Sequence, residues 1–592
     1  MRETVLLVGV GLLAYTAVAM ALAAWGRLPG WIRIRGPMVT FETEATPSVL
    51  DRLATRRRLW RRIADAGVFV SFALVAVSFV MVVFAGYAAL TREVATEVNR
   101  PRNVLAVPGV NDFLPLSATP EIVFGLFAGV AVHELGHALL ARVEDVDVRS
   151  MGVIFLALVP FGAYVDMGGD ERSVSTAARN RIYAAGVTVN LVLAIVCALV
   201  LMALVSASVA AVPGLAVGTV VPGTPAADAG LERGDVITAV DGTPVEDEAE
   251  VRAELADADE TVSLERAEGE SVTLERAVVV RAAPGAGPNA LEPGTEIAAV
   301  DGTPVRAEAA FREALEAADE PTVAVTTVDS DGVERAETFV AGTYVASVVE
   351  DGPLADAGAP TGEPGVVTSI DGERMTDHED LFAALEAASP GETVIVGLYT
   401  DDGLEEYRVT LGESTDGDGA HLGVYPAAGA GGIAVTDLGI EPYPTDEHLG
   451  VLSGSEPATI TNTPLDRLLT IAFLPFAGAI GLASENFGGF VGEATAVYAV
   501  TGPLSAVGGV VFVLATVLYW TGWISLLLGF FNCLPVYPLD GGRLVRTNAE
   551  GVASRLPVST PGTAAAAVTA VSSAVVLISV VVMLFGPMVL GT

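Results

Sequence analysis

The run Ile122-Val123-Phe124-Gly125-Leu126-Phe127-Ala128-Gly129-Val130-Ala131-Val132-His133-Glu134-Leu135-Gly136-His137-Ala138-Leu139-Leu140-Ala141 decides how this chain reads. It is apolar over the roughly 20 residues a helix needs to span a bilayer, yet it holds three ionisable side chains. Each would cost about 2.5–3.5 kcal/mol at the centre of a membrane helix, so such groups persist where they have partners or a function. On a helix, positions i and i+4 share a face, so His133 and His137 can reach one ion. Glu134 projects beside them without ligating and can accept a proton from water. The chain has only 5 His, so this spacing is not a product of abundance.

Further apolar runs lie at 4–25, 66–90, 183–212, 503–534 and 563–588, with a weaker one at 467–485. Run 4–25 is read as a retained helix, since its apolar stretch is long and lacks a small-residue cleavage site. With 52% hydrophobic residues and a mean hydropathy of +0.54, the chain is expected to be an α-helical polytopic membrane protein. Nine Arg face three acids in the loop 26–62, which places that loop in the cytoplasm. Helix 66–90 then runs outward, 122–141 inward and 183–212 outward, so the polar region 214–450 is extracytoplasmic. The basic segment 543–555 returns to the inside, so 467–500 crosses an even number of times or lies along the surface.

Zinc with two His is short of ligands, since catalytic sites have three protein ligands plus water. Asp540, in Asn532-Cys533-Leu534-Pro535-Val536-Tyr537-Pro538-Leu539-Asp540-Gly541-Gly542, follows the inward helix 503–534 and reaches the depth of His133 and His137. The prolines and paired glycines are expected to break the helix and turn Asp540 inward. Cys197 and Cys533 can build neither a disulfide framework nor a cysteine zinc site. His378, His421 and His448 stand among acids and read as solvated surface residues.

The formal net charge is -40, and all 32 basic residues are Arg. Most acids fall in 214–450, a surface similar to the acidic, lysine-poor surfaces of salt-adapted archaeal proteins, and one that argues against nucleic acid as a partner. This region repeats itself. Leu231 to Gly234 with Asp241-Gly242-Thr243-Pro244-Val245 matches Leu291 to Gly294 with Asp301-Gly302-Thr303-Pro304-Val305, and Ile370-Asp371-Gly372 ends a third copy. Pro225, Asp228, Ala229 and Gly230 correspond to Pro353, Asp356, Ala357 and Gly358, a part the middle copy lacks. A strand, an Asp-Gly turn, a helix and more strands describe a small α+β module. The pattern resembles PDZ domains, whose grooves bind peptide tails by adding a strand to a sheet edge.

His-Glu-x-x-His in a membrane helix, the distant Asn-x-x-Pro-x-x-Pro-Leu-Asp-Gly-Gly and intervening PDZ-like modules together resemble the site-2 protease family of intramembrane zinc metalloproteases. The resemblance implies Zn2+ on His133, His137 and Asp540, with Glu134 as the base. It implies membrane-spanning protein substrates in the lipid bilayer, held near the metal by Asn532 and by a membrane-dipping hairpin around Gly162-Ala163-Tyr164-Val165-Asp166. Asn190 matches a polar position of that family, or serves as an interhelical hydrogen bond. The modules would act as a size filter. The boundaries that follow are 1–120 for the N-terminal helices and basic loop, 121–212 for the first part of the core, and 213–281, 282–341 (degenerate) and 342–425 for the modules. A linker and membrane-associated segment at 426–500, the second part of the core at 501–545 and a last transmembrane helix at 546–592 complete the chain. Two alternatives stand beside this: a non-catalytic PDZ scaffold, against which the intact Glu134 weighs, and a membrane zincin with a different third ligand, against which the placement of Asp540 weighs. If the orientation holds, a membrane-impermeant thiol reagent added outside should label a Cys placed at Gly332 and miss one placed at Thr55; the opposite pattern reverses the topology.

Overall fold

The computed structural model describes residues 2–590 apart from 27, 44–47, 92–107, 111–113, 158, 169–173, 257, 268, 330–331, 415–418, 456–462, 479–482, 484 and 558. It divides into two compact units. One comprises Met1–Ala210, Asp446–Gly492 and Val500–Thr592, the other Ala211–Thr445 with Glu493–Ala499.

The first unit is helical. Its helices are α1 (Arg2–Ala24), α2 (Ser48–Ala54), α3 (Arg57–Thr91), α4 (Thr119–Val143), α5 (Thr176–Ser208), α6 (Pro464–Phe473), α7 (Val510–Asn532), α8 (Asp540–Ala553) and α9 (Pro561–Leu590). Among the described residues α3, α4, α5, α7 and α9 are long and apolar enough to cross a membrane. Large apolar side chains point outward from them, such as Phe69 and Phe84 of α3 and Val571 and Ile578 of α9, as helices facing lipid require. The weaker run 467–485 forms no spanning helix among its described residues. The ten residues of α6 reach about half a bilayer. Its exposed Leu465, Leu469 and Phe473 follow an i, i+4, i+8 stripe, the pattern of a helix lying along a membrane surface.

Glycines let the spanning helices approach closely, as small residues do in membrane bundles. A Cβ on Gly125 would sit 3.0 Å from the Thr521 backbone nitrogen of α7, and one on Gly129 2.9 Å from Leu528. A Cβ on Gly136 would meet Val189 of α5 at 2.7 Å. The end of α4 is tied down by charge. Glu144, almost buried, binds Arg61 of α3 at 2.9 Å and Arg181 of α5 at 3.2 Å, and Arg181 also binds Asp65 at 2.6 Å. The start of α5 meets α8 through paired amides, Asn180 to Asn548 at 3.1 Å and the reverse bond at 3.0 Å.

One sheet belongs to this unit. Its antiparallel strands β1 (Ile32–Arg35), β2 (Met38–Thr43), β3 (Val148–Leu156) and β4 (Val159–Met167) run in that order. The β3–β4 pair is the hairpin expected around Gly162 and Tyr164. The basic loop 26–62 therefore does more than carry charge: it supplies two of the four strands.

The second unit holds three six-stranded sheets built on one plan. The Asp-Gly turns form as the sequence suggested: Asp241, Asp301 and Asp371 have φ of 48°, 46° and 48°, and the glycines after them are also left-handed. Such a pair of positive φ values is what a tight hairpin of this hand requires. Each aspartate also accepts a backbone N–H from a neighbouring strand, at Ser263, Ala324 and Ile395. The middle copy is a full sheet around Ile297, Phe311, Leu315 and Phe339, although its upstream repeat is missing.

The modules are nested, not consecutive. The first strand of each sheet pairs with a closing strand far downstream: Leu215–Val220 with Ile440–Pro442, Val278–Ala282 with Ala434–Thr436, and Thr343–Val348 with Val424–Pro426. Residues 434–442, read as linker, thus complete two sheets. Buried polar contacts staple the nested layers. Asn289 donates to the carbonyls of Val340 and Gly431 and accepts from the Val340 N–H, and Arg276 pairs with Asp437. From this nesting, fragment 213–445 in high salt should melt in one cooperative transition followed by circular dichroism, whereas 213–281, lacking its closing strand, should show no transition.

Candidate metal centre

Two helices and a turn bring the candidate ligands together. His133 and His137 lie on the buried face of α4, one turn apart. After α7 ends at Asn532, the chain turns through Cys533–Leu539 and starts α8 at Asp540. The break lies in that turn, and the paired glycines belong to the first turn of α8. A Cβ on Gly541 would fall 2.3 Å from the Cys533 carbonyl oxygen, and one on Gly542 2.5 Å from Val536. The glycines thus serve close packing, letting the new helix fold back against its own turn so that Asp540 is buried facing α4. Cys533, also buried, lies in that turn outside the group of three donors.

The three donors form a near-equilateral triangle. His133 Nε2 and His137 Nε2 are 3.2 Å apart, and each is 3.2 Å from Asp540 Oδ2. A tetrahedral zinc with bonds of about 2.0 Å needs its donors about 3.3 Å apart. His137 Nδ1 lies 2.7 Å from the Ile182 carbonyl, which can only accept, so Nδ1 carries the ring proton and Nε2 presents a lone pair. Asp540 Oδ2 is buried and without a hydrogen bond. Acceptors facing one another in an apolar interior are what a cation would satisfy. The group could therefore hold a metal ion, and its donor set suits zinc.

Two residues of α5 complete the site, and sequence reasoning assigned one of them no definite role and missed the other. Asn190, fully buried, has its amide nitrogen 3.2 Å from His133 Nδ1, while its amide oxygen has no partner. A nitrogen there would donate to Nδ1 and force the ring proton onto Nε2, the atom aimed at Asp540. Rotating the amide by half a turn exchanges two similar atoms. The orphaned oxygen then accepts from Nδ1–H, and Nε2 is free to ligate. Gly186 is the second. A Cβ there would fall 2.5 Å from His133 Nε2 and 2.6 Å from His137 Nε2, inside the space the ligands need. Its only mark in the sequence is a glycine in an apolar helix, which fits ordinary helix packing equally well.

The other expected residues are placed as follows. Glu134 is half-buried on α4 between the two ligands in sequence. Asn532 ends α7, its amide donating to the Leu528 carbonyl at 2.9 Å. On β4, Gly162 has open space above its α-carbon, while the Tyr164 ring lies across Gly152 of β3. Of the other histidines His421 is exposed and His378 half-buried, but His448 is fully buried, its ring tilted against Phe487 with ring centres 5.1 Å apart. That corrects its reading as a solvated residue. None of the three belongs to a metal-holding group among the described residues.

Comparison with known proteins adds four findings. The model of a family described as Peptidase family M50 matches residues 121–579. A Clostridium perfringens (strain 13) protein named for zinc metalloprotease activity is 30% identical over 165 residues, 23% of this chain and 47% of that protein. A Brucella suis protein named a probable periplasmic serine endoprotease, DegP-like, is 29% identical over 140 residues, 20% of this chain and 26% of that one. The chain therefore spans less than half the length of these curated relatives. Among solved structures, the PDZ domain of an SdrC-like protein from Listeria monocytogenes aligns at 26% identity and a TM-score of 0.13, covering 14% of this chain and 86% of the domain.

Two substitutions test the site through metal content. Gly186→Ala should displace the imidazoles and abolish stoichiometric zinc in the purified, folded protein, measured by atomic emission. Asn190→Ala should weaken zinc about 10–100-fold, the usual effect of removing a partner of a ligating histidine, read by competition with a chelator. Unchanged affinity in Asn190→Ala would remove Asn190 from the site.

Proposed function

The chain belongs to peptidase family M50, and from that premise we propose that it is an intramembrane zinc metalloendopeptidase that cuts transmembrane or membrane-proximal segments of other proteins. The observation that carries this reading is the triangle of three donors at 3.2 Å, buried among apolar helices, with Glu134 beside it. His133, His137 and Asp540 would hold the ion. Zinc in such a site supplies Lewis acidity towards a scissile carbonyl and makes water a nucleophile near neutral pH.

The rest falls to the protein. Glu134 accepts the proton of the attacking water and returns it to the leaving nitrogen. Asn190 and the Ile182 carbonyl keep both ligating rings in the required tautomer. A transmembrane helix hides its carbonyls in its own hydrogen bonds, so the substrate must unwind locally. β4 is an edge strand among the described residues, and its backbone can pair with an extended segment. Asn532 would hold that segment near the reacting carbonyl.

In this reading 121–212 and 501–545 form the catalytic core. The modules lie on the extracytoplasmic side, where they bind peptide tails or exclude substrates whose outer domains are still attached. The task is regulated intramembrane proteolysis, with a membrane-tethered regulator as a fitting substrate. A non-catalytic scaffold would need no base at position 134.

The decisive comparison uses two variants on a model transmembrane peptide. Glu134→Gln should keep stoichiometric zinc and lose cleavage by at least about 100-fold, the lower range for a general base. Asp540→Ala should lose both. Cleavage by Glu134→Gln would remove it as the base, and full zinc in Asp540→Ala would point to another carboxylate.

A further inference from the structure

The N-terminal hairpin β1–β2 lies before residue 121, where the family match begins, yet it is built into the sheet that carries β4. β2 pairs with β3 over six residues, from Met38↔Leu156 to Thr43↔Met151. One row of this pairing matters most. Glu42 stands opposite Gly152, and Gly152 stands opposite Tyr164 on β4. These three positions share one face of three adjacent strands. Because Gly152 has no side chain, the Tyr164 ring lies flat across it: a Cβ there would be 2.6 Å from a ring carbon. The Tyr164 hydroxyl thereby reaches past β3 into hydrogen-bonding range of the Glu42 carboxylate on β2 and of Ser150 on β3. The Glu42 side chain is nearly buried, and Arg33 of β1 holds it at 2.7 Å.

Aromatic contacts connect the hairpin to the metal-bearing helix. Ring centres are 5.8 Å apart for Trp31–Phe41, 5.5 Å for Phe41–Phe155 and 6.3 Å for Phe155–Phe127. Phe127 is on α4, six residues before His133. The hairpin is thus fixed to α4 through β3, and to β4 through Glu42 and Tyr164.

We infer that the N-terminal hairpin is a working part of the substrate-holding sheet, with Glu42 as a positioning residue. The hairpin fills the β3 edge, which would otherwise offer a second strand-pairing site, and leaves β4 as the edge nearest α4. Glu42 draws the Tyr164 ring over Gly152 and away from the open side of β4, so that an extended chain can approach beside Gly162. The inference rests on β4 being the strand that takes substrate. Its chemistry specifies the partner: an unwound, largely apolar transmembrane segment, recognised through backbone N–H and C=O groups.

The test uses full-length protein in bilayer nanodiscs with a fluorogenic transmembrane peptide, zinc content being measured in parallel. Glu42→Ala and Gly152→Ala should each raise KM about five-fold, the worth of one hydrogen bond, with kcat within two-fold and zinc unchanged. Glu42→Gln, whose amide oxygen still accepts from Tyr164, should restore most of the KM. In a second arm a photocrosslinking amino acid replaces Ala163 on β4 or Ile34 on β1. Substrate should crosslink at 163 and not at 34. A crosslink at 163 with unaltered KM in both Glu42→Ala and Gly152→Ala overturns the inference alone. A crosslink at 34 overturns the blocked-edge assignment. No crosslink at either position overturns the strand-pairing reading and the inference with it. A fall in kcat with KM unchanged would mean that Glu42 acts on the chemistry and not on the sheet.

Discussion

Three electron-pair donors converge on one point inside an apolar helix bundle, and the rest of the membrane unit answers to that constraint. Two imidazoles and a carboxylate with 3.2 Å edges could share one cation between them. A metal site tolerates errors of about 0.2 Å in its donor positions. The helices must therefore be fixed to a fraction of an ångström by contacts that are not themselves ligands. Gly125, Gly129 and Gly136 set the depth to which α4 seats against α7 and α5, since a methyl group on any of them would overlap atoms of the facing helix. Gly541 and Gly542 do the same for the turn that delivers Asp540. At the end of α4, Glu144 joins α3 and α5 through two arginines. That carboxylate is nearly buried, so loss of either arginine would leave a charge poorly compensated, a much larger effect than breaking an exposed pair.

What the sequence disclosed followed short-range rules. His133 and His137 were legible because i, i+4 is a property of one helix. Asp540 was legible because it sits in a Pro- and Gly-rich stretch at the end of an apolar run, within reach of the His-bearing helix if the helices alternate in direction. The Asp-Gly turns were legible because left-handed φ at two consecutive residues leaves few choices of residue. Gly186 and the role of Asn190 were hidden, because both depend on which face of α5 meets α4, and an apolar helix has no polar face from which to read that rotation. The closing strands of the modules were hidden for a different reason. Three residues such as Ile440–Pro442 show no period, and their partner lies more than 200 residues upstream. The hairpin in the basic loop was obscured by its own arginines, which dominate its composition although Ile32 and Ile34, and again Val39 and Phe41, alternate like strands. Buried His448 shows that acidic neighbours in sequence say little about exposure in space.

Nesting has a consequence for how so large an insertion is tolerated. The first and last strands of the second unit, Leu215–Val220 and Ile440–Pro442, are hydrogen-bonded neighbours. The chain therefore enters and leaves that unit at adjacent points, and a stretch of more than 200 residues closes like a short loop. The same holds at each inner level, so each module can be read as an insertion into a closed sheet, where an added domain adds little loop entropy. The acidic surface fits this unit, since Asp and Glu on its exposed loops keep it hydrated, while its cores remain apolar around Leu264, Phe311 and Leu381.

The sheet of the membrane unit carries the opposite difficulty. An edge strand offers unpaired N–H and C=O groups, and proteins ordinarily cover or charge such edges. β1 carries Arg33 and Arg35, a protected edge of the usual kind, whereas β4 presents Gly162 and Ala163 with open space above the glycine. In water such an edge is merely sticky; near lipid each unsatisfied backbone group costs several kcal/mol. A substrate helix that unwinds meets the same penalty with its own backbone. Pairing the two satisfies both sets of groups at once, so the penalty that keeps either partner from exposing its backbone alone favours their association. On the function proposed here, that shared penalty selects segments that unwind readily, and selection by sequence becomes selection by local helix stability.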